Sequence, residues 1–238
     1  ITGQIENDSN EIDPNNNVRH YFQMALPEML PYIGFGIALG MAMASKVSAA
    51  PLALLLPGAA LIRYLKMSRE EQDEHQITIW INLVAAGIVS FIIFRIFQPY
   101  AFSGPGFFGI IPNEKWVSNL KELSLQSKGD VDFPPALQWA RRPITFAFTN
   151  MVFYGLGLPL GIAAWLGFAW MGIEILKKKK LDEILLWGWT GVYFAWQSIN
   201  FTRSMRYQLP VYPTLCILAA WLIFSLWRVI QERPTEKG

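Results

Sequence analysis

The chemistry available to this sequence lies mainly in its basic residues. From Met29 to Ile62 the chain reads MLPYIGFGIALGMAMASKVSAAPLALLLPGAALI, a run of 34 residues whose single charge is Lys46. A lysine at a membrane interface neutralises a phosphate as a point charge; the plain alternative is a snorkelling residue that anchors a helix end. A second group is Asp130, Asp132, Arg141 and Arg142. Its carboxylates are candidate bases or cation ligands and its arginines can grip phosphate bidentately, or the group is a solvated loop with local ion pairs. A third is Arg203-Ser204-Met205-Arg206-Tyr207-Gln208-Leu209-Pro210. Two arginines beside a tyrosine suit a lipid phosphate at headgroup level and equally an aromatic and basic interface belt. Arg95, near the end of another apolar run, either snorkels or joins the same electropositive mouth.

The elements that position these groups follow from hydropathy. As one helix, residues 29–62 would reach about 50 Å, well past a hydrocarbon core of about 30 Å. The run therefore folds back or breaks, and Ser45, Lys46 and Ser48 mark the break. An ionisable group at such a point is a functional candidate by default. The chain is 53% hydrophobic and 16% charged, against about 25% charged in soluble domains. Several runs approach or exceed 18 residues, which predicts an integral membrane protein of all-α class with about six transmembrane helices. Residues 1–28 read as a polar linker. A first membrane block, 29–97, holds helices near 29–45, 47–65 and 77–97. A long loop follows at 98–145, and a second block, 146–230, holds helices near 146–173, 182–200 and 208–230. Residues 231–238 form a polar tail.

Within the loop, NEKWVSNLKELSLQSKG places Trp116, Leu120 and Leu123 at helical spacing, which predicts a short amphipathic helix on the membrane surface. Basic residues set the orientation. The lysine run 177–180 puts its loop in the cytoplasm, and alternation then places the 98–145 loop and the 202–207 loop outside, together with Lys46, Arg95, Arg141, Arg142, Arg203 and Arg206. Six cations at one face suit the phosphate head of an isoprenoid lipid, if they converge.

Several function classes are excluded. A formal net charge of +2 gives no reason to expect nucleic acid as a partner. The single cysteine, Cys216, rules out an internal disulfide and a cysteine-built metal site. Two histidines, His20 and His75, make a histidine metal cluster improbable, so no metal or cofactor is expected. The opening ITGQIENDSNEIDPNNNVRH has no apolar core and is not a signal peptide; the chain reads as a piece of something longer.

Two segments carry a family resemblance. GIALGMAMASKVSAAPLALLLP (36–57) resembles the G-x-A-x-G-x-A-x-x-(S/T)-K segment of polyprenyl-phosphate-dependent glycosyltransferases of the GT-C fold, the protein mannosyltransferase and aminoarabinose transferase superfamily. RYQLPVYPTLCILAAW (206–221) resembles that family's late R-Y-x-L-P-x-Y-P element. The resemblance covers about residues 29–230 and implies the family's C-terminal half. It implies transfer of a sugar from a polyprenyl-phosphate carrier to an acceptor on the extracytoplasmic face of a bacterial cytoplasmic membrane, with the lipid-linked sugar as donor substrate and membrane lipids as surroundings. By the same resemblance, Lys46 and the Arg206-Tyr207 pair belong to the lipid-phosphate site, and Arg203, Arg141 and Arg142 are its candidate neighbours. The family's catalytic acid precedes the first segment and maps to no residue here. The competing expectation is a non-catalytic subunit of a larger membrane complex that keeps the same fold. A transporter is disfavoured by the scarcity of polar residues in the spans.

Overall fold

A computed structural model of the chain describes residues 14–104, 106–178 and 180–231. The described chain is all-α apart from one two-residue β ladder. Helix α1 runs Pro14–Ser45 and is followed by a 3-10 stretch, Val47–Leu54, that continues into α2, Leu55–Lys66. Helix α3 runs Arg69–Phe97. Strands β1, Phe102–Ser103, and β2, Ile111–Pro112, pair antiparallel ahead of α4, Glu114–Lys128. After a 3-10 turn at Pro134–Trp139 come α5, Phe146–Asn150, a π turn at Met151–Gly155, and α6, Leu158–Lys178. Helix α7 runs Leu181–Ile199, and a 3-10 stretch, Met205–Val211, leads into α8, Tyr212–Gln231.

Five stretches are long and apolar enough to cross a membrane: Pro27–Ser45, Val47–Lys66, Arg69–Phe97, Leu158–Lys178 and Met205–Gln231. The chain is thus built as an integral membrane protein. Large apolar side chains cover the outside of α3, where Trp80, Ile81, Val84 and Ile88 are all exposed, as expected of a surface that faces lipid rather than water. The sixth expected span, α7, is 19 residues long but is not among these five. Asp182, Glu183, Gln197 and three tryptophans dilute its hydropathy.

Several boundaries differ from the sequence expectation. Residues 14–28 open α1 instead of continuing a linker, and Pro14 stands at the first helical position, where its missing N–H costs nothing; residues 1–13 and 232–238 lie outside the described residues. The charged segment 66–75 is mostly helix. Ser68 caps α3 reciprocally with Glu71, accepting from the Glu71 N–H at 3.3 Å while the Ser68 N–H donates to the Glu71 carboxylate at 2.8 Å, a capping box that starts the helix early. The helix expected from residue 146 breaks at the π turn, and Gly157 adopts φ +79° before α6 begins. The second span opens irregularly, with Pro51 inside its 3-10 stretch.

Close contacts at small residues set the helix directions. Gly36 and Gly40 of α1 lie against the backbones of Ala86 and Ser90 of α3. Both numbers rise together, so the two helices run parallel. Gly167 of α6 touches the backbone of Leu218 in α8 while Gly155, just before α6, meets Tyr212, so these two are parallel as well. Helix α7 runs against α6, since Gly172 faces Trp187 and Gly191 faces Phe168. Small residues permit such approaches where lipid offers no hydrophobic drive between helices. The main core is Met151, Ala164, Met171, Tyr193, Val211, Leu215, Leu218 and Ala219, mostly shared by α6, α7 and α8. Inside it the buried Thr190 hydroxyl sits 2.8 Å from the Thr214 hydroxyl.

Two triplets result, α1–α2–α3 and α6–α7–α8, each with parallel outer helices. They meet through α2 and α7, where Gly58 packs on Leu185 and Lys66 pairs with Asp182 at 2.5 Å. That pair fixes one end of the bundle. The opposite end holds the C-termini of α1 and α3, helix α4 and residues 200–207.

Candidate functional site

The break after α1 is local chemistry. The Ser45 hydroxyl donates back to the Met41 carbonyl at 3.0 Å, a bond that competes with the helix ladder. Lys46 is then extended, with φ −156° and ψ 110°, and its side chain crosses to the other triplet. Its Nζ lies 3.5 Å from the Arg206 carbonyl and 4.4 Å from the centroid of the Tyr207 ring. The Arg206 guanidinium lies 5.7 Å from the same ring. Two cations from opposite ends of the sequence therefore share one aromatic ring. Burial, and then the neighbouring Arg206 charge, push the Lys46 ammonium below the ordinary lysine range. An anion placed here would relieve that repulsion.

These groups line a cavity of about 1120 Å³. Helix α4 roofs it and is fastened at both ends. At its start the Asn113 N–H donates to the Ala101 carbonyl at 2.9 Å, and the Asn113 side chain caps the helix by accepting from Lys115 N at 3.0 Å. At its end Gly129 takes φ +81° with the Phe201 ring packed on it, and the Thr202 hydroxyl donates to the Ser127 carbonyl at 2.9 Å. Trp116, Leu120 and Leu123 face the cavity. The face expected to rest on the membrane surface thus closes over Lys46 and Arg206. Trp116 also packs beside Phe94, with ring centroids 6.2 Å apart. Asn119, Ser124 and Gln138 add amide and hydroxyl groups, Trp139 a further ring, and no Asp or Glu lines the cavity among the described residues.

Of the residues expected from sequence, Lys46, Arg206 and Tyr207 line this cavity and Arg203, Arg141 and Arg142 do not. Arg203 instead ties loops together. Its Nε donates to the Ser198 carbonyl at 3.0 Å, and its Nη1 donates to the Arg142 carbonyl. The Arg142 guanidinium packs 4.7 Å from the Phe146 ring centroid, and Arg141 is exposed. Arg95 holds the turn after α3, donating to the Gly109 carbonyl at 2.9 Å and the Gly106 carbonyl at 3.2 Å. Asp130 and Asp132 are exposed and outside the lining. Among the described residues no group of three or more His, Cys, Asp or Glu is placed to hold a metal ion.

The sequence reading missed the cavity side of α4 and the 3-10 turn that carries Gln138 and Trp139. The signal for α4 was present, because its apolar residues recur at helical spacing. What they cover depends on the two tethers, which are tertiary. No protein-family model, curated protein or solved structure matches this chain.

Proposed function

We propose that the cavity receives the phosphate of a membrane-embedded polyprenyl phosphate, and that the chain is the carrier-lipid-binding part of a GT-C-type glycosyltransferase. The observation that carries this reading is the meeting of Lys46 and Arg206 on the Tyr207 ring under an amphipathic roof. A phosphate between them gains charge-assisted hydrogen bonds from an ammonium and a guanidinium, and the isoprenoid tail has apolar helix surfaces beside it. In a transfer reaction the same cations would stabilise the charge left on the carrier phosphate as the glycosyl bond breaks. In this reading α7 crosses the bilayer with its neighbours to make six spans, and the 98–145 segment lies on the extracytoplasmic face.

Trp116 and Trp139 provide the readout. Titrating the purified full chain with a short-chain polyprenyl phosphate should change its tryptophan fluorescence. Lys46→Ala and Arg206→Ala should each weaken binding about 10- to 100-fold, the worth of one charge-assisted contact. Arg141→Ala, at an exposed residue that does not line the cavity, should bind as the parent does. Unchanged affinity in both cavity variants would remove the proposed role.

One observation favours a second reading, a non-catalytic subunit that binds the carrier for a partner. The lining supplies cations, rings and amides but no carboxylate among the described residues, so the base that deprotonates an acceptor would come from elsewhere. Isolation of the native chain at fixed stoichiometry with other membrane subunits, with transfer activity only in the assembly, selects this reading.

A further inference from the structure

A second groove lies at the opposite end of the bundle, between α6 and α8 and on the lysine side of their Gly167–Leu218 contact. It is about 680 Å³ in volume. Leu166, Trp170, Ile173, Leu222 and Leu226 form its walls, and Glu174, Lys177 and Lys178 stand at its charged end. From Leu166 to Lys177 it follows about 16 Å of helix, which is half of a hydrocarbon core of about 30 Å. The groove is therefore one leaflet deep.

The charged end is not self-neutralised. The Glu174 carboxylate is held by Lys178 at 2.9 Å and Lys180 at 3.3 Å, and Lys180 also reaches Glu183 at 3.2 Å. Those pairs occupy both carboxylates, while Lys177 is exposed and has no ion pair among the described residues. An uncompensated cation thus stands over an apolar slot on two helices that are long and apolar enough to cross the membrane. That combination matches an amphiphile with an anionic head and a hydrocarbon tail.

We infer that the α6–α8 groove binds an anionic glycerophospholipid of the adjacent leaflet, with the lipid phosphate at Lys177 and an acyl chain along Trp170, Ile173 and Leu226. This site is independent of the Lys46 cavity and faces the other end of the bundle. A zwitterionic lipid offers the same chain but brings a cation to the Lys177 ammonium, so it binds less well.

The test uses the purified full chain in a neutral detergent, with phosphatidylglycerol, phosphatidylcholine and inorganic phosphate as separate additions. Native mass spectrometry counts retained lipid, and thermal melting reports stabilisation. Phosphatidylglycerol should be retained and raise the melting point, and phosphatidylcholine should do so weakly. Lys177→Glu should cut phosphatidylglycerol retention about tenfold or more, as reversal of one charge near an anionic headgroup predicts. Because Lys177 is exposed, the variant should melt like the parent without lipid. Ile173→Trp, which fills the slot and leaves the charge intact, should also reduce retention. Equal retention of both lipids, or no change in Lys177→Glu, overturns the inference. Stabilisation by inorganic phosphate as strong as by lipid overturns it too, since the site would then bind a bare anion.

Discussion

At the scale of single residues, Lys46 is the group with the clearest titration consequence. Burial and Arg206 disfavour its ammonium form, so its pKa in the folded chain lies below the unfolded value of about 10.4. Between those two values the folded chain holds fewer protons than the unfolded one, and stability without ligand rises with pH across that window. A bound phosphate reverses the preference by favouring the ammonium. Polyprenyl phosphate affinity should therefore be greatest below the lowered pKa and fall as pH rises through it. Titrating affinity from neutral pH upward measures this, and Lys46→Arg should flatten the profile because a guanidinium does not titrate there. Without ligand, Lys46→Met should stay within about 1 kcal/mol of the parent, since it loses a cation–π contact but also removes a disfavoured charge. Lys46 was legible in the sequence because a lone charge in 34 residues is conspicuous. The fates of Arg203 and Arg95 were not, because a guanidinium satisfied by backbone carbonyls looks the same in sequence as one waiting for phosphate.

At the scale of elements, α4 depends on its tethers. Its helical spacing was legible, and Asn113 and Gly129 bound it in the sequence as in the structure. Its orientation was not, because Phe201 and Thr202 lie more than seventy residues beyond it. Gly129→Ala should cost about 1–2 kcal/mol, from a left-handed backbone and a ring already in contact. The roof should loosen with it, so affinity for polyprenyl phosphate should drop together with the melting point. The packing of α1 on α3 is tested separately. A Cβ at Gly36 would stand 2.5 Å from the Ala86 carbonyl oxygen, so Gly36→Leu should lower the melting temperature by the equivalent of about 1–3 kcal/mol. Gly34→Leu serves as the control, since nothing lies within 4 Å of its Cβ position. The partner of α1 emerges only from the register of Gly36 on Ala86 and Gly40 on Ser90.

At the scale of the whole molecule, the two ends of the bundle differ in character. One carries Lys66, Asp182 and the lysines at the end of α6; the other carries α4 and the cavity lined by Lys46 and Arg206. If the proposed orientation holds, a membrane-impermeant maleimide added to sealed cells should label Asn119→Cys, in a background where Cys216 is replaced by Ser. Glu70→Cys should react only after permeabilisation. Labelling of both from one side would refute the arrangement. The all-α class and most spans were legible from apolar runs alone, since a chain in lipid must close its own backbone hydrogen bonds. The pairing of the outer helices was not, because direction is set by which small residues meet.

The seam between the triplets has a mechanical consequence. Glycine contacts knit the outer helices of each triplet, whereas the joint rests on Gly58 against Leu185 and on the solvent-exposed Lys66–Asp182 pair, the latter worth little by itself. At the other end Lys46 reaches Arg206 and Tyr207, and α4 spans the gap, fastened to Ala101 on one side and to Thr202 on the other, so the two triplets are clasped at both ends. A guest bound under α4 would therefore add to an existing clasp between the two triplets and not create it.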